Sequence, residues 1–226
     1  MAQFQPKLVL IDLDGTLVDS VPDLSYSVDQ TMLALGLPLR GEAAVRTWVG
    51  NGVQTLVERA LTNTLDQPAD PAAFEQALAI FMAIYAENTS QRSRLYPGVV
   101  EGLDFLQSCK ALKVACVTNK AAQFTHKLLR DLGIFERFAL IVSGDTLSEK
   151  KPHPLPLLYA AEQLGVEPAD SLMLGDSKSD VKAARAAGFK IITVSYGYNH
   201  GEDIRDYHPD AVIDSFQELT TLIQCA

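Results

Sequence analysis

No stretch of this sequence is both long enough and apolar enough to cross a bilayer. The longest unbroken apolar run, Ala77 to Ala86, is ten residues against the roughly 20 that a spanning helix needs, and it reads as a buried helix. The opening residues, Met1 to Lys7, lack a basic and apolar leader pattern, so no export is expected and the cytoplasm is the expected compartment. Cysteine is scarce: Cys109, Cys116 and Cys225 are odd in number and without metal-ligand spacing, which predicts reduced core thiols. Positive charge is short as well. With 19 Lys and Arg against 28 Asp and Glu, the net charge of −9 argues against a nucleic-acid partner. A phosphate-loop Gly-Lys-Ser/Thr is missing, and Gly50-Asn51-Gly52-Val53-Gln54-Thr55 lacks the third glycine of a dinucleotide fingerprint, so neither cofactor class is implied. His126, His200 and His208 have no ligand spacing.

What is present is a chain of 226 residues, 47% hydrophobic, enough for a substantial core. Short apolar runs at Leu8–Leu13, Val114–Thr118, Leu140–Val142, Leu172–Leu174, Ile191–Val194 and Val212–Ile213 suit buried strands. Helical patterns follow most of them, as with Phe124, Leu128 and Leu132 before Gly133, or Val181, Ala184 and Ala187 before Gly188. Alternation of this kind predicts an α/β fold on a parallel sheet. Between Leu17 and about Tyr96 the alternation lapses into successive helical segments, Pro22–Leu35, one after Gly41, Val53–Leu65 and Ala72–Asn88. The expected organisation is a Rossmann-like parallel sheet core over 1–17 and 91–226, with an all-helical cap over 18–90 inserted after the first strand.

The first strand runs into Asp12-Leu13-Asp14-Gly15-Thr16. At a period of two the carboxylates of Asp12 and Asp14 share a direction, and Gly15 permits a sharp turn just beyond the strand end. Ligands of open parallel sheets collect at such ends. An acidic, calcium-binding loop is the alternative reading of this segment alone. Three further segments sit at the ends of later strands: Thr118-Asn119-Lys120, Lys151-Pro152, and Gly175-Asp176 with Asp180.

In these four segments, in this order, the chain resembles the haloacid dehalogenase superfamily. The resemblance implies a phosphatase in which Asp12 attacks phosphorus and forms an aspartyl phosphate, while Asp14 exchanges protons with the leaving alkoxide and then with water. It implies Mg2+ held by Asp12, the backbone carbonyl of Asp14 and Asp176, with Asp180 one helical turn on, touching the metal or positioning its neighbours; a solvated helix face is the other reading of Asp180. Thr118 and the Asn119 amide would bind phosphoryl oxygens, and Lys151, preferred over Lys150 because it directly precedes proline, would offset charge. Moving an anionic group onto a carboxylate requires such cations and donors.

By the resemblance, Asp14 argues against a dehalogenase, the absence of lysine from the segment Val18–Ser90 disfavours the phosphonate-cleaving branch, and its absence of histidine weakens the resemblance to the mutases. Trp48-Val49-Gly50-Asn51-Gly52, Asp19-Ser20-Val21-Pro22-Asp23-Leu24 and Ser195–Gly201 resemble the phosphoglycolate phosphatase branch over nearly the whole chain. The implied substrate is a small phosphate ester such as 2-phosphoglycolate. Arg46 could then pair with its carboxylate, and Asn51 and Gly52 could offer backbone amides; an ordinary surface charge and a tight turn are the plain readings. Another small sugar or acid phosphate is the alternative substrate, and a phospho-acceptor signalling module is the alternative class. A monomer or homodimer without membrane or nucleic-acid partners is expected.

Overall fold

The computed structural model describes residues 4–225; residues 1–3 and 226, the outermost positions of the expected core segments, lie outside the described residues. Strand β1 (Leu8–Ile11) ends at Asp12 and is followed by a two-residue strand, β2 (Val18–Asp19), before four helices: α1 (Val21–Ala34), α2 (Gly41–Trp48), α3 (Val53–Thr62) and α4 (Pro71–Glu87). The chain returns through β3 (Arg94–Leu95) into α5 (Val99–Ser108), β4 (Lys113–Val117), α6 (Ala122–Asp131), β5 (Leu140–Val142) and α7 (Leu155–Gln163). It ends with β6 (Ser171–Gly175), α8 (Lys178–Ala187), β7 (Lys190–Val194), β8 (Ala211–Ile213) and the short α9 (Leu219–Leu222).

Six strands form one sheet in the order β5-β4-β1-β6-β7-β8, each neighbour pair parallel. The apolar strand runs of the sequence have a direct cause, because both faces of the sheet are covered. Val9, Ile11, Val114, Cys116, Leu172 and Leu174 face a layer that includes α5 and α6. Leu8, Leu10, Ala115, Val117 and Met173 face α7 and α8 on the other side. β1 lies between β4 and β6, so the chain order reverses around it, and the crevice beyond its carboxyl end is where a ligand site belongs.

The helical cap has a core of its own, built from Val28, Met32, Trp48, Leu56, Phe81 and Tyr85, and Phe124 of α6 and Tyr198 after β7 join it. β2 and β3 pair antiparallel, Val18 with Leu95 and Asp19 with Arg94, so the two chain crossings between sheet and cap are tied to each other. This ribbon was not expected from the sequence. Asp23, fully buried in α1, ties the returning segment: its carboxylate accepts from the Arg92 and Ser93 N–H groups at 2.9 and 2.7 Å and from the Ser93 hydroxyl at 2.7 Å.

The expectation of three reduced thiols is corrected. Cys109, at the end of α5, and Cys225 are disulfide-bonded with Cα atoms 5.1 Å apart, bridging 116 positions that carry no local spacing signal; Cys116 is free and buried in β4. Among the described residues no helix is long and apolar enough to cross a membrane.

Removing the Asp23 carboxylate leaves the buried Ser93 N–H without its acceptor and takes acceptors from the Arg92 N–H and the Ser93 hydroxyl. Asp23→Ala is expected to cost about 2–3 kcal/mol of unfolding free energy, read as a lower urea midpoint; a loss below about 1 kcal/mol would show that the crossing is held by other contacts.

Candidate active site

The Asp12 N–H donates to the Leu174 carbonyl at 2.9 Å, so the segment leaving β1 stays registered on β6 until the reactive position is reached. Gly15 then turns with φ +91°, and a Cβ there would lie 2.3 Å from Asp176 Oδ2. Only glycine lets this loop pass beneath Asp176. Gly197 approaches from the other side, where a Cβ would lie 2.1 Å from Asp176 Cβ. Asp176 is thereby fixed, with Oδ1 accepting from the Thr16 hydroxyl at 3.0 Å and Oδ2 from the Tyr198 N–H at 2.7 Å.

The buried Lys151 ammonium lies 2.8 Å from Asp12 Oδ1, 2.7 Å from Asp180 Oδ1 and 2.7 Å from the Val117 carbonyl. Its three protons match these three acceptors. Burial alone would lower its pKa, but Asp12 and Asp180 more than offset this and hold it charged. Asp180 Oδ2 accepts from the Ser177 N–H at 3.1 Å and the Ser177 hydroxyl at 2.7 Å, the capping box of α8. Both Asp180 oxygens are therefore committed within the protein, one to the helix start and one to Lys151.

Asp12, Asp176 and Asp180 each present an oxygen, all within 4.8 Å of one another. Burial pushes Asp12 up to about 7 despite Lys151, with Asp180 adding to the rise, and burial together with Asp180 and Asp12 pushes Asp176 well above the carboxylate range. The cluster is short of positive charge. An all-oxygen donor set in that condition fits a hard divalent cation, with Asp12 and Asp176 as the groups able to hold it.

The Asp14 carboxylate points elsewhere. It pairs with Lys120 Nζ at 3.0 and 3.1 Å and accepts from the Ser20 hydroxyl at 2.6 Å, so any part of Asp14 in holding a metal rests on its backbone carbonyl. A cavity opens above these groups. Its floor is Asp12, Asp14, Thr118, Asn119 and Lys120, and its cap side is Leu24, Val49, Gly50, Gly52, Val53 and Leu56.

A haloacid dehalogenase-like hydrolase model matches residues 6–188, from before β1 to just past α8. The chain belongs to this family. It is 59% identical over 222 residues to the phosphoglycolate phosphatase of Nitrosococcus oceani, covering 98% of each chain. It is 46% identical to that of Thiobacillus denitrificans, covering 96% of this chain and 95% of the relative. A crystal structure described as a predicted phosphoglycolate phosphatase from Haemophilus somnus superposes with a TM-score of 0.90 at 36% identity, covering 98% of both chains.

The structure brings Asp12, Asp14, Thr118, Asn119, Lys151, Asp176 and Asp180 together at the strand ends, as the hydrolase motifs imply. The Asn119 side chain is held by protein atoms. Its Nδ2 donates to the Gly50 and Lys151 carbonyls at 3.0 and 2.9 Å, and its Oδ1 accepts from the Lys151 N–H at 3.0 Å. The side-chain amide thus clamps the lysine loop and the cap turn.

Arg46 is not among the residues lining the cavity. It pairs with both Asp19 oxygens at 3.2 and 3.4 Å and with Glu42 at 2.8 Å, over the Tyr198 ring. Asp19 also accepts from the Tyr198 hydroxyl at 2.6 Å, so the guanidinium serves a contact between cap and core. The Asn51 side chain also turns away, accepting from Arg59 at 2.9 Å, whereas Gly52 does line the cavity. His153 is a loop residue accepting from the Leu155 N–H at 3.2 Å, and His200 docks on the Thr47 carbonyl at 2.8 Å. Sequence reasoning missed Lys120; a cation one residue after Asn119, at the end of an apolar strand, was the available signal.

Gly197→Ala tests how tightly the acidic cluster is packed. The new Cβ must displace Asp176, and a shift of about 1 Å can cost about 10²-fold in rate. Hydrolase activity is expected to fall by that order with an unchanged circular dichroism spectrum; full activity would show that the close approach is dispensable.

Proposed function

We propose that this chain is a magnesium-dependent phosphatase that converts 2-phosphoglycolate to glycolate and phosphate through an aspartyl phosphate on Asp12. The observation that carries the reading is the pairing of buried Asp12 with Lys151 and Asp176 on one side, while Asp14, two residues on, is held apart by Lys120 and Ser20. Two neighbouring carboxylates in different surroundings suit a nucleophile and an acid–base partner. The substrate follows the names of the relatives that match nearly the full chain.

Asp12 attacks phosphorus, and the bond to the leaving oxygen breaks as that oxygen takes the proton of Asp14. Asp14 then accepts a proton from the water that attacks the phosphorus of the aspartyl phosphate, releasing phosphate and restoring Asp12. Lys151 fixes the Asp12 carboxylate and offsets its charge, and Thr118 donates its hydroxyl to a phosphoryl oxygen. Asp12, Asp176 and the Asp14 carbonyl would hold magnesium, whose chemistry there is to neutralise negative charge where phosphoryl oxygens meet carboxylates. Asp180 acts through Lys151 and the Asp176 loop.

Phosphate release from a panel of small phosphate esters is expected to be fastest with 2-phosphoglycolate, to stop with EDTA and to return with Mg2+. Turnover without any divalent ion would remove the metal from the reading, and a faster sugar phosphate would replace the substrate. Asp12→Asn is expected to lose at least about 10³-fold in kcat, and Asp14→Asn about 10²–10⁴-fold. A single burst of one glycolate per chain, with the phosphoryl group retained on the protein and no multiple turnover, would favour a phospho-acceptor module instead.

A further inference from the structure

A glycolate leaving group carries a negative charge, and the cap offers no free cation to receive it. Arg46 is held by Asp19 and Glu42, Arg59 by the Trp48 carbonyl at 2.6 Å and Asn51 Oδ1, and Arg40 by the Ala60 carbonyl at 2.6 Å. The cap wall contributes Leu24, Val49, Val53 and Leu56. Among the described residues lining the cavity, Lys120 is the one cationic side chain.

Its place also fits the substrate. Asp14 must reach the ester oxygen, and in 2-phosphoglycolate the carboxylate carbon lies two bonds away, roughly 2.4 Å. A group that bonds the carboxylate while Asp14 bonds the ester oxygen must therefore lie beside Asp14. Lys120 Nζ is 3.0 Å from it and is buried, with Nζ 5.0 Å from the centre of the Tyr85 ring, which limits its wandering. The entering carboxylate brings negative charge into a buried pocket, and an ammonium with three donors can bond it and Asp14 together.

Resting on the phosphoglycolate reading above, we infer that Lys120 is the specificity residue that binds the carboxylate of the leaving group, bridging it to Asp14. Lys150 is the competing cation: Nζ lies at the rim, 3.5 Å from where a Gly52 Cβ would sit.

The test compares kcat/KM for 2-phosphoglycolate with that for 2-hydroxyethyl phosphate, in which CH2OH replaces the carboxylate. Lys120→Met is expected to lower the ratio of the two by about 10–100-fold, whatever it does to both rates through Asp14. Lys120→Arg, which keeps the charge, should hold the ratio nearer the wild-type value than Lys120→Met does, and Lys150→Met should leave it within about threefold. A ratio unchanged in Lys120→Met would overturn the inference and leave Lys120 a counter-ion that positions Asp14; a ratio that collapses in Lys150→Met would assign the carboxylate to Lys150. A wild-type enzyme that does not favour 2-phosphoglycolate over the neutral ester would overturn both this inference and the substrate reading. Should Lys120→Met fail to fold, wild-type inhibition by glycolate and ethylene glycol, with and without Lys120→Arg, carries the same comparison: glycolate binding no tighter than ethylene glycol overturns the inference.

Discussion

One ammonium faces more buried carboxylate than it can neutralise, and the rest of the structure follows from that imbalance. Lys151 bridges Asp12 and Asp180, with Asp176 close by. At separations under 4.8 Å each like-charge pair repels by roughly 3–4 kcal/mol at an effective dielectric of about 20. Such a cluster persists only where the backbone leaves its members no alternative. The parallel register of β1 on β4 and β6 brings the three strand ends level, and Gly15 and Gly197 close around Asp176 so that it cannot swing away. Folding energy from the two apolar layers thus holds an acidic site that is disposed to take up positive charge.

The same constraint explains why so many polar side chains near the site bind protein atoms. Asp180 starts α8 with one oxygen and orients Lys151 with the other; Asn119 holds the Lys151 loop from across the crevice. Asn119 also reaches the Gly50 carbonyl of the cap turn, so the segment that fixes the lysine is joined to the segment that roofs the cavity. Arg46, Asp19 and Tyr198 join cap and core on the opposite flank, where the Tyr198 N–H also fixes Asp176. The cap and the acidic cluster are therefore joined through shared residues on both flanks.

The six sheet strands and the four cap helices were legible because burial on both faces leaves continuous apolar runs, and burial on one face leaves a helical stripe. The site was legible where its residues sit at strand ends with fixed local neighbours, as Asp12 with Asp14 or Lys151 before Pro152. What was not legible depends on partners distant in sequence. Arg46 looks free until Asp19, 27 positions earlier, is seen beside it. Cys109 and Cys225 carry no spacing signal across 116 positions. The β2–β3 ribbon has two residues per strand, too few for any period to show. Asn119 lines the cavity, but the atoms that hold its side chain lie in two other segments.

The division of labour between the two layers follows from where charge is placed. The core supplies every ionisable group on the cavity floor, and the cap supplies a roof of aliphatic side chains and glycine backbone. An aliphatic roof does little to distinguish one polar leaving group from another by hydrogen bonding, but it removes water and so lowers the local dielectric, which strengthens each contact made by the floor. A small substrate suits this arrangement, because its few atoms lie within reach of the floor alone. The cap arginines are tied to Asp19, Glu42 and backbone carbonyls beside that roof. A larger leaving group would have to displace that roof before Asp14 could reach its ester oxygen, and the loss of closure would weaken the same electrostatic contacts that the chemistry uses.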